Sequence, residues 1–362
     1  MTEQPSDTSR AWVEIDLGAL RRNGAAIARH AGVPLLPMVK ADAYGLGAVA
    51  AVRALEPLSP WGYGVATTAE GRQVRELGIE RPILVFTPLL PSEFGAARSA
   101  RLTPVLGDAD AISAWIESGG GSWHLGIDTG MARAGVRWDR VAELSALVAA
   151  LPPDGACTHF QNGADRESVD LQRERFRQSI ATLPERPPLL HAENGPAVEH
   201  LDGTSTLAMV RPGIFLYGVS SGPGARITPE PVVSLRARVV EVRTVPDGAG
   251  VSYEATWRAR GPRRIATLAI GYADGYRRAL SSRGVVLVNG VRATVAGLVT
   301  MDMTMVDVTG VTCKPGDVAT LVGSSGGDCL TVADVAATAE LSPYELLTGL
   351  RARVPRIYGE AA

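Results

Sequence analysis

The sequence predicts an α/β protein, an eight-stranded parallel β/α barrel of the TIM type followed by a mainly-β C-terminal domain. Three observations carry that expectation. Eight short apolar runs alternate with helix-like stretches over about 200 residues, as parallel strands joined by crossover helices read. After Ser220-Ser221-Gly222-Pro223-Gly224 the alternation stops, and β-rich runs follow one another with glycine or proline turns between them. Polar residues fit for chemistry fall after many different runs, as a ring of loops requires, whereas a doubly wound open sheet is the competing topology.

Taken in order, residues 1–11 read as a flexible tail, because the amino end is polar, carries a proline and lacks the apolar and basic parts of a targeting signal. The barrel domain is assigned to 12–228 and the β domain to 229–362. A strand over 12–16 leads into a helical period that Asp16 can cap. The eight runs are 35–39, 61–66, 83–86, 103–106, 123–127, 155–160, 188–192 and 207–211, with amphipathic stretches such as 69–77, 140–150 and 169–180 between them. In the second domain β-rich runs cover 232–245, 264–270, 285–288, 293–299 and 303–308, with a short helical end near 332–350.

With 362 residues, 46% hydrophobic and 20% charged, the chain can bury two cores. A net charge of −2 supplies no electrostatic footprint for nucleic acid or an anionic membrane. No apolar run approaches the roughly 20 residues of a membrane helix. Cys157, Cys313 and Cys329, an odd number without CxxC spacing, point to a reducing, cytoplasmic setting. No metal site is expected.

Lys40, in Pro37-Met38-Val39-Lys40-Ala41-Asp42-Ala43-Tyr44-Gly45, is one of two lysines; the other is Lys314. Every other fixed cation is an arginine, which cannot act as a nucleophile. A partly desolvated lysine at a strand's carboxyl end has a lowered pKa and can form a Schiff base with an aldehyde. Arg133, His159, Asn194, Arg211 and Gly213 follow other strands. Each alone has a plainer reading: a solvated lysine, a satisfied half-buried histidine, an arginine paired with Asp128. Loops after strands seven and eight of such barrels commonly bind phosphate, and Glu193-Asn194-Gly195-Pro196 and Arg211-Pro212-Gly213-Ile214 lie there. A reactive lysine facing a phosphate cradle suggests pyridoxal 5′-phosphate. Tyr253 and Tyr272, by composition alone, could be aromatic core.

Seven ordered motifs carry a resemblance. They are Val39-Lys40-Ala41-Asp42-Ala43-Tyr44-Gly45, Asp128-Thr129-Gly130-Met131, Thr158-His159-Phe160, Arg211-Pro212-Gly213, Val251-Ser252-Tyr253, Gly271-Tyr272-Ala273-Asp274-Gly275 and Arg353-Val354-Pro355-Arg356. Over residues 12–358 the chain resembles the alanine racemases, fold-type III pyridoxal-phosphate enzymes. The resemblance implies a racemase interconverting L- and D-alanine by a two-base mechanism. A racemase of serine or of broader specificity, and a non-catalytic pyridoxal-phosphate-binding protein, are the alternatives.

It further implies that Lys40 holds the cofactor and serves as one base, while Tyr253 from the other subunit of a homodimer is the opposite base. Tyr44, Asn194, Gly195, Gly213, Ile214 and Tyr344 would surround the cofactor, and Arg211 would face its pyridine nitrogen. His159 would bridge Arg211 and Tyr253, Arg133 would meet the phenolic oxygen, and Arg133 and the partner's Met301 would serve the substrate. Four positions depart from the family's usual pattern: Gly126 for a carbamylated lysine, Gly195 for a serine, Leu298 for a channel arginine, and Gln161 for an alanine. With Gly126 there, a bound chloride or a nearby carboxylate is expected beside Arg133, which is read as partly buried.

Overall fold

The computed structural model describes residues 6 and 8–360. Part of the tail expected over 1–11 therefore lies outside the described residues. The chain divides into two compact units: Leu20–Ala43 with Ala48–Glu230, and the described residues up to Ala19 with Tyr44–Gly47 and those from Pro231 onward.

In the first unit, strands Tyr63–Val65, Ile83–Val85, Thr103–Leu106, His124–Asp128, Gly155–Cys157 and Leu189–His191 pair in parallel in that order. Residues 35–39 close the ring. On one side Leu36 N donates to Val210 O (2.8 Å) and Met38 N to Pro212 O (2.9 Å). On the other, Val39 N donates to Gly64 O and Gly64 N to Pro37 O, both at 2.9 Å. All eight runs thus take part in a closed barrel, and the open doubly wound sheet is excluded because no edge remains. The strands are buried because helices such as Thr68–Glu76, Ala109–Glu117 and Arg166–Ala181 turn an apolar stripe to them; the first is fixed by a capping box between Thr67 and Glu70.

The second unit carries a nine-stranded sheet in the order Asp328–Leu330, Val318–Ser325, Val285–Val288, Val291–Val295, Thr304–Asp307, Arg263–Leu268, Val233–Val245, Ala11–Asp16, Arg356–Gly359. A further pairing of Val318–Ser325 with Val233–Val245 joins six of these strands into a ring. Two short helices, Val332–Thr338 and Pro343–Thr348, follow.

One boundary differs from expectation. The barrel was placed from residue 12, but Ala11–Asp16 pairs antiparallel with Val233–Val245 and parallel with Arg356–Gly359. The physical reason is that a barrel already closed by eight strands offers no edge, whereas Val233–Val245 does. The helix after it runs further than its opening period suggested, Leu17–Ala31, and Asp16 Oδ1 accepts from Ala19 N at 2.9 Å as a cap.

Candidate active site

Lys40 opens the turn Lys40–Gly45 at the carboxyl end of the first barrel run. Ala41, Asp42, Ala43 and Tyr44 all have φ between 52° and 59°, so this is a left-handed turn built from residues with a Cβ. Its first amide is held from outside: Ala41 N donates to Glu70 Oε1 (2.8 Å), while Glu70 Oε2 takes Ala66 N (2.7 Å). Glu70 therefore ties the loop after the second strand to the turn that aims the lysine. Burial and the Arg133 guanidinium hold the Lys40 ammonium below its usual range, against an opposing pull from Glu70. Lys314, by contrast, is exposed in its β-unit turn.

Arg211 is buried in the barrel. Its Nη1 lies 2.8 Å from His191 Nδ1, and its Nη2 donates to Thr158 O (2.6 Å) and Ala192 O (2.8 Å). His191 Nε2 in turn lies 2.8 Å from His124 Nδ1. Burial, with Arg211 next in order for His191, keeps both imidazoles neutral; His124 is pushed down to about 4. The bridge expected between Arg211 and His159 is not formed here, because the guanidinium is committed to His191 and two carbonyls. His159 instead lies 3.3 Å from Asn194 Nδ2, and burial followed by Arg211, Arg133 and Lys40 lowers it to about 3.

A cavity of about 80 Å³ lies among these groups, lined by Gly126, Arg133, Cys157, His159 and Arg211. The carboxylate bordering it, Asp128, is occupied by the amides of Gly130, Met131 and Ala132. Arg133 is exposed, not partly buried, and makes no hydrogen bond or ion pair among the described residues. Water can reach its guanidinium, so the burial cost on which the need for a resident anion was argued falls away. A Cβ on Gly126 would meet Val105 Cγ1 at 3.0 Å, so Val105 already occupies part of the space a longer side chain would use.

The two loops read as a phosphate cradle are neighbours. Asn194 and Arg211 form a parallel bridge, and Arg211 N donates to Glu193 O at 2.9 Å. Asn194 caps the turn Gly195–Glu199 and donates to Phe160 O (3.0 Å); Gly213 precedes the turn Ile214–Tyr217, in which Ile214 is buried. Two buried carboxylates lie here, Glu193, which sequence reasoning named only as part of its loop, and Glu199, which it missed. Glu193 keeps one oxygen on Arg173 (3.1 Å) and leaves the other without a partner among the described residues, and Glu199 does likewise with Ser220 and Ser221. Sequence reasoning missed His191 and His124 as well; their signal was an inward position on strands seven and five.

In the β unit, Tyr44 is buried and its ring centroid lies 5.9 Å from that of Tyr344. Tyr253 is 69% exposed, on a turn whose flanking residues Ser252 (φ 67°) and Glu254 (φ 60°) are both left-handed. Ser252 Oγ donates to Leu298 O at 2.7 Å, pinning the turn. Met301, also exposed, has its carbonyl taken by Ala273 N (3.0 Å), and only glycine fits at 271, where a Cβ would stand 2.2 Å from Thr300 O. Gln161, exposed, donates its amide to Gln172 Oε1. Among the described residues no cluster of histidine, cysteine, aspartate or glutamate is placed to hold a metal ion.

Comparison with known proteins accords with this geometry. The chain matches a family profile described as "Alanine racemase, N-terminal domain" over residues 15–221, and one described as "Alanine racemase, C-terminal domain" over 232–358. It is 39% identical to the alanine racemase of Deinococcus deserti over 96% of this chain and 99% of that protein, and 39% identical to that of Deinococcus radiodurans over 97% and 99%. Its structure is similar to an alanine racemase from Bacillus anthracis with bound L-Ala-P (TM-score 0.91, 30% identity, 99% of this chain and 96% of that one). It is also similar to one from Bartonella henselae with covalently bound pyridoxal phosphate (TM-score 0.89, 29% identity, 97% and 100%).

Proposed function

The chain belongs to the alanine racemase family, pyridoxal-phosphate enzymes that interconvert L- and D-alanine, and on that premise we propose how its residues divide the work. Lys40 holds the cofactor and exchanges a proton on one face of the substrate's α-carbon, and Tyr253 of a second copy does so on the other. The observation that carries this is Lys40 itself: a barrel-mouth lysine depressed by burial and by Arg133, the arginine that lines the cavity together with Arg211. The cofactor, when bound, delocalises the charge left on that carbon. The donor set fits it, with a titratable amine, Arg133 and Arg211 for its oxygens and ring nitrogen, and the adjoining loops Asn194-Gly195 and Gly213-Ile214 for its phosphate.

Arg211, permanently cationic, would disfavour a proton on the ring nitrogen of a bound cofactor and so favour racemisation over reactions that need a stronger electron sink. Tyr44 and Tyr344 would help to hold the cofactor. Arg133 and the partner copy's Met301 backbone position the substrate carboxylate. The exposure of Tyr253 and Met301 supports a homodimer with shared sites, since such side chains are otherwise left to water. The three unpaired cysteines support a cytoplasmic setting. A chloride beside Arg133 is supported by the cavity that Gly126 and Arg133 line together, as an optional occupant and not a requirement.

Polarimetry of L-alanine and L-serine incubated with the purified protein tests the reading. Rapid loss of rotation by L-alanine is expected. A serine-preferring enzyme is the second reading, favoured by Gly126, Gln161, Gly195 and Leu298, and would show as faster loss with L-serine. Loss with neither overturns both.

A further inference from the structure

The phosphate cradle proposed above contains an acid that no sequence motif marks. Glu199 ends the turn Gly195–Glu199 and is fully buried. Its Oε2 accepts from Ser221 N (2.7 Å) and Ser220 Oγ (3.2 Å), whereas Oε1 is buried with no hydrogen-bond partner among the described residues. A Cβ built on Gly195 would have only two near neighbours, Gly213 N at 3.8 Å and this same Glu199 Oε1 at 3.9 Å. The free oxygen thus looks into the space that a side chain at 195 would use, beside a backbone amide of the opposing loop.

Burial raises the Glu199 carboxyl toward the neutral acid against the opposing pull of the Ser221 amide and the Ser221 and Ser220 hydroxyls, none of which carries a charge. The two oxygens then have separate roles. Oε2 accepts both hydrogen bonds, and on the neutral acid Oε1 would carry the proton with no hydrogen-bond partner among the described residues, a situation native interiors avoid. We propose that Glu199 Oε1 donates a hydrogen bond to the cofactor's phosphate, in the place of the hydroxyl that a serine at 195 would present. This deepens the cradle reading and rests on it. An ionised carboxylate there would repel the phosphate, and the neutral acid instead gives it a short O–H···O⁻ bond.

The test compares pyridoxal phosphate with pyridoxal, which lacks the phosphate, as ligands of the cofactor-stripped full chain. Glu199→Leu is expected to weaken pyridoxal phosphate binding by about tenfold to a hundredfold and leave pyridoxal binding unchanged. Glu199→Gln, which presents an amide donor, stays within about threefold of the parent protein. Gly195→Ser added to Glu199→Leu restores the lost affinity, since a Cβ at 195 meets nothing closer than 3.8 Å. Should the leucine variant not fold, Glu199→Asp withdraws the oxygen by one methylene and is expected to show the same loss. If the Glu199 variants bind both ligands as the parent does, or lose both equally, the assignment is wrong. If the parent protein itself shows no preference for the phosphate ester, the cradle reading fails first, before any Glu199 variant is made.

Discussion

Replacing His124 with glutamine is expected to remove a defined part of the barrel's sensitivity to acid. His124 and His191 are buried side by side, and burial is the leading cause that holds His124 at about 4, against an unfolded value of 6.5. Asp154 opposes that depression and Arg211 adds to it. Below pH 6.5 the unfolded chain binds a proton here that the folded chain refuses. Stability is therefore complete above pH 6.5 and falls as pH drops toward the folded value. Each pH unit costs about 1.4 kcal/mol, so the interval from 6.5 to 4 costs about 3 kcal/mol for this one group. Glutamine does not titrate and can still hydrogen-bond His191 Nε2. Urea midpoints measured from about pH 7.5 to 4.5 should fall more steeply for the parent protein, by about 1.4 kcal/mol per unit. Parallel pH profiles for parent and variant would show that His124 already takes up its proton in the folded barrel, and the account of a neutral imidazole pair would be refuted.

Borohydride treatment of the yellow protein should fix a pyridoxyl group on Lys40 alone; a peptide map with the label on exposed Lys314 would defeat the assignment. Mixing Lys40→Ala with Tyr253→Phe chains should recover activity if subunits exchange, because each hybrid dimer holds one intact site, and no recovery despite exchange proven by mass spectrometry counts against shared sites. Gly271→Ala should be destabilising by about 1–3 kcal/mol and lower turnover, since its Cβ would stand 2.2 Å from Thr300 O and displace Met301; unchanged melting and turnover would remove the reason given for that glycine. Because Arg133 is exposed to water, activity should not depend on halide or on bicarbonate, and bromide soaking decides the optional chloride: an anomalous peak within contact distance of Arg133 seats an anion there, and a featureless map removes it.

Much of this was legible because each signal has a period or a single source. The eight barrel runs alternate with helical stretches, and Lys40 stands out where nearly every other cation is arginine. What failed has physical causes too. Ala11–Asp16 has a strand's composition but nothing local says which sheet will take it. Val318–Ser325 went unread, although the glycines after it mark a hairpin. Arg133 was read as partly buried from its motif, and burial is decided by packing, which no motif records. His191 has an inward position on its strand as a signal, but its pairing with His124 and Arg211, like that of Glu199 with Ser220 and Ser221, joins residues far apart in the chain and leaves no mark in a single sequence.

The left-handed turn after Lys40 bears on how this enzyme can be engineered. Four successive residues with a Cβ in that conformation carry strain of about 1–2 kcal/mol each, together comparable with the whole net stability of an ordinary domain. Substituting glycine at Ala41 or Ala43 would relieve part of it and is an obvious step for anyone seeking a hardier protein. The same change would slacken the segment that aims the reactive amine, so a stabilising mutation in this turn is one that a selection for turnover should discard. Robustness in this chain is better sought away from residues 41–44.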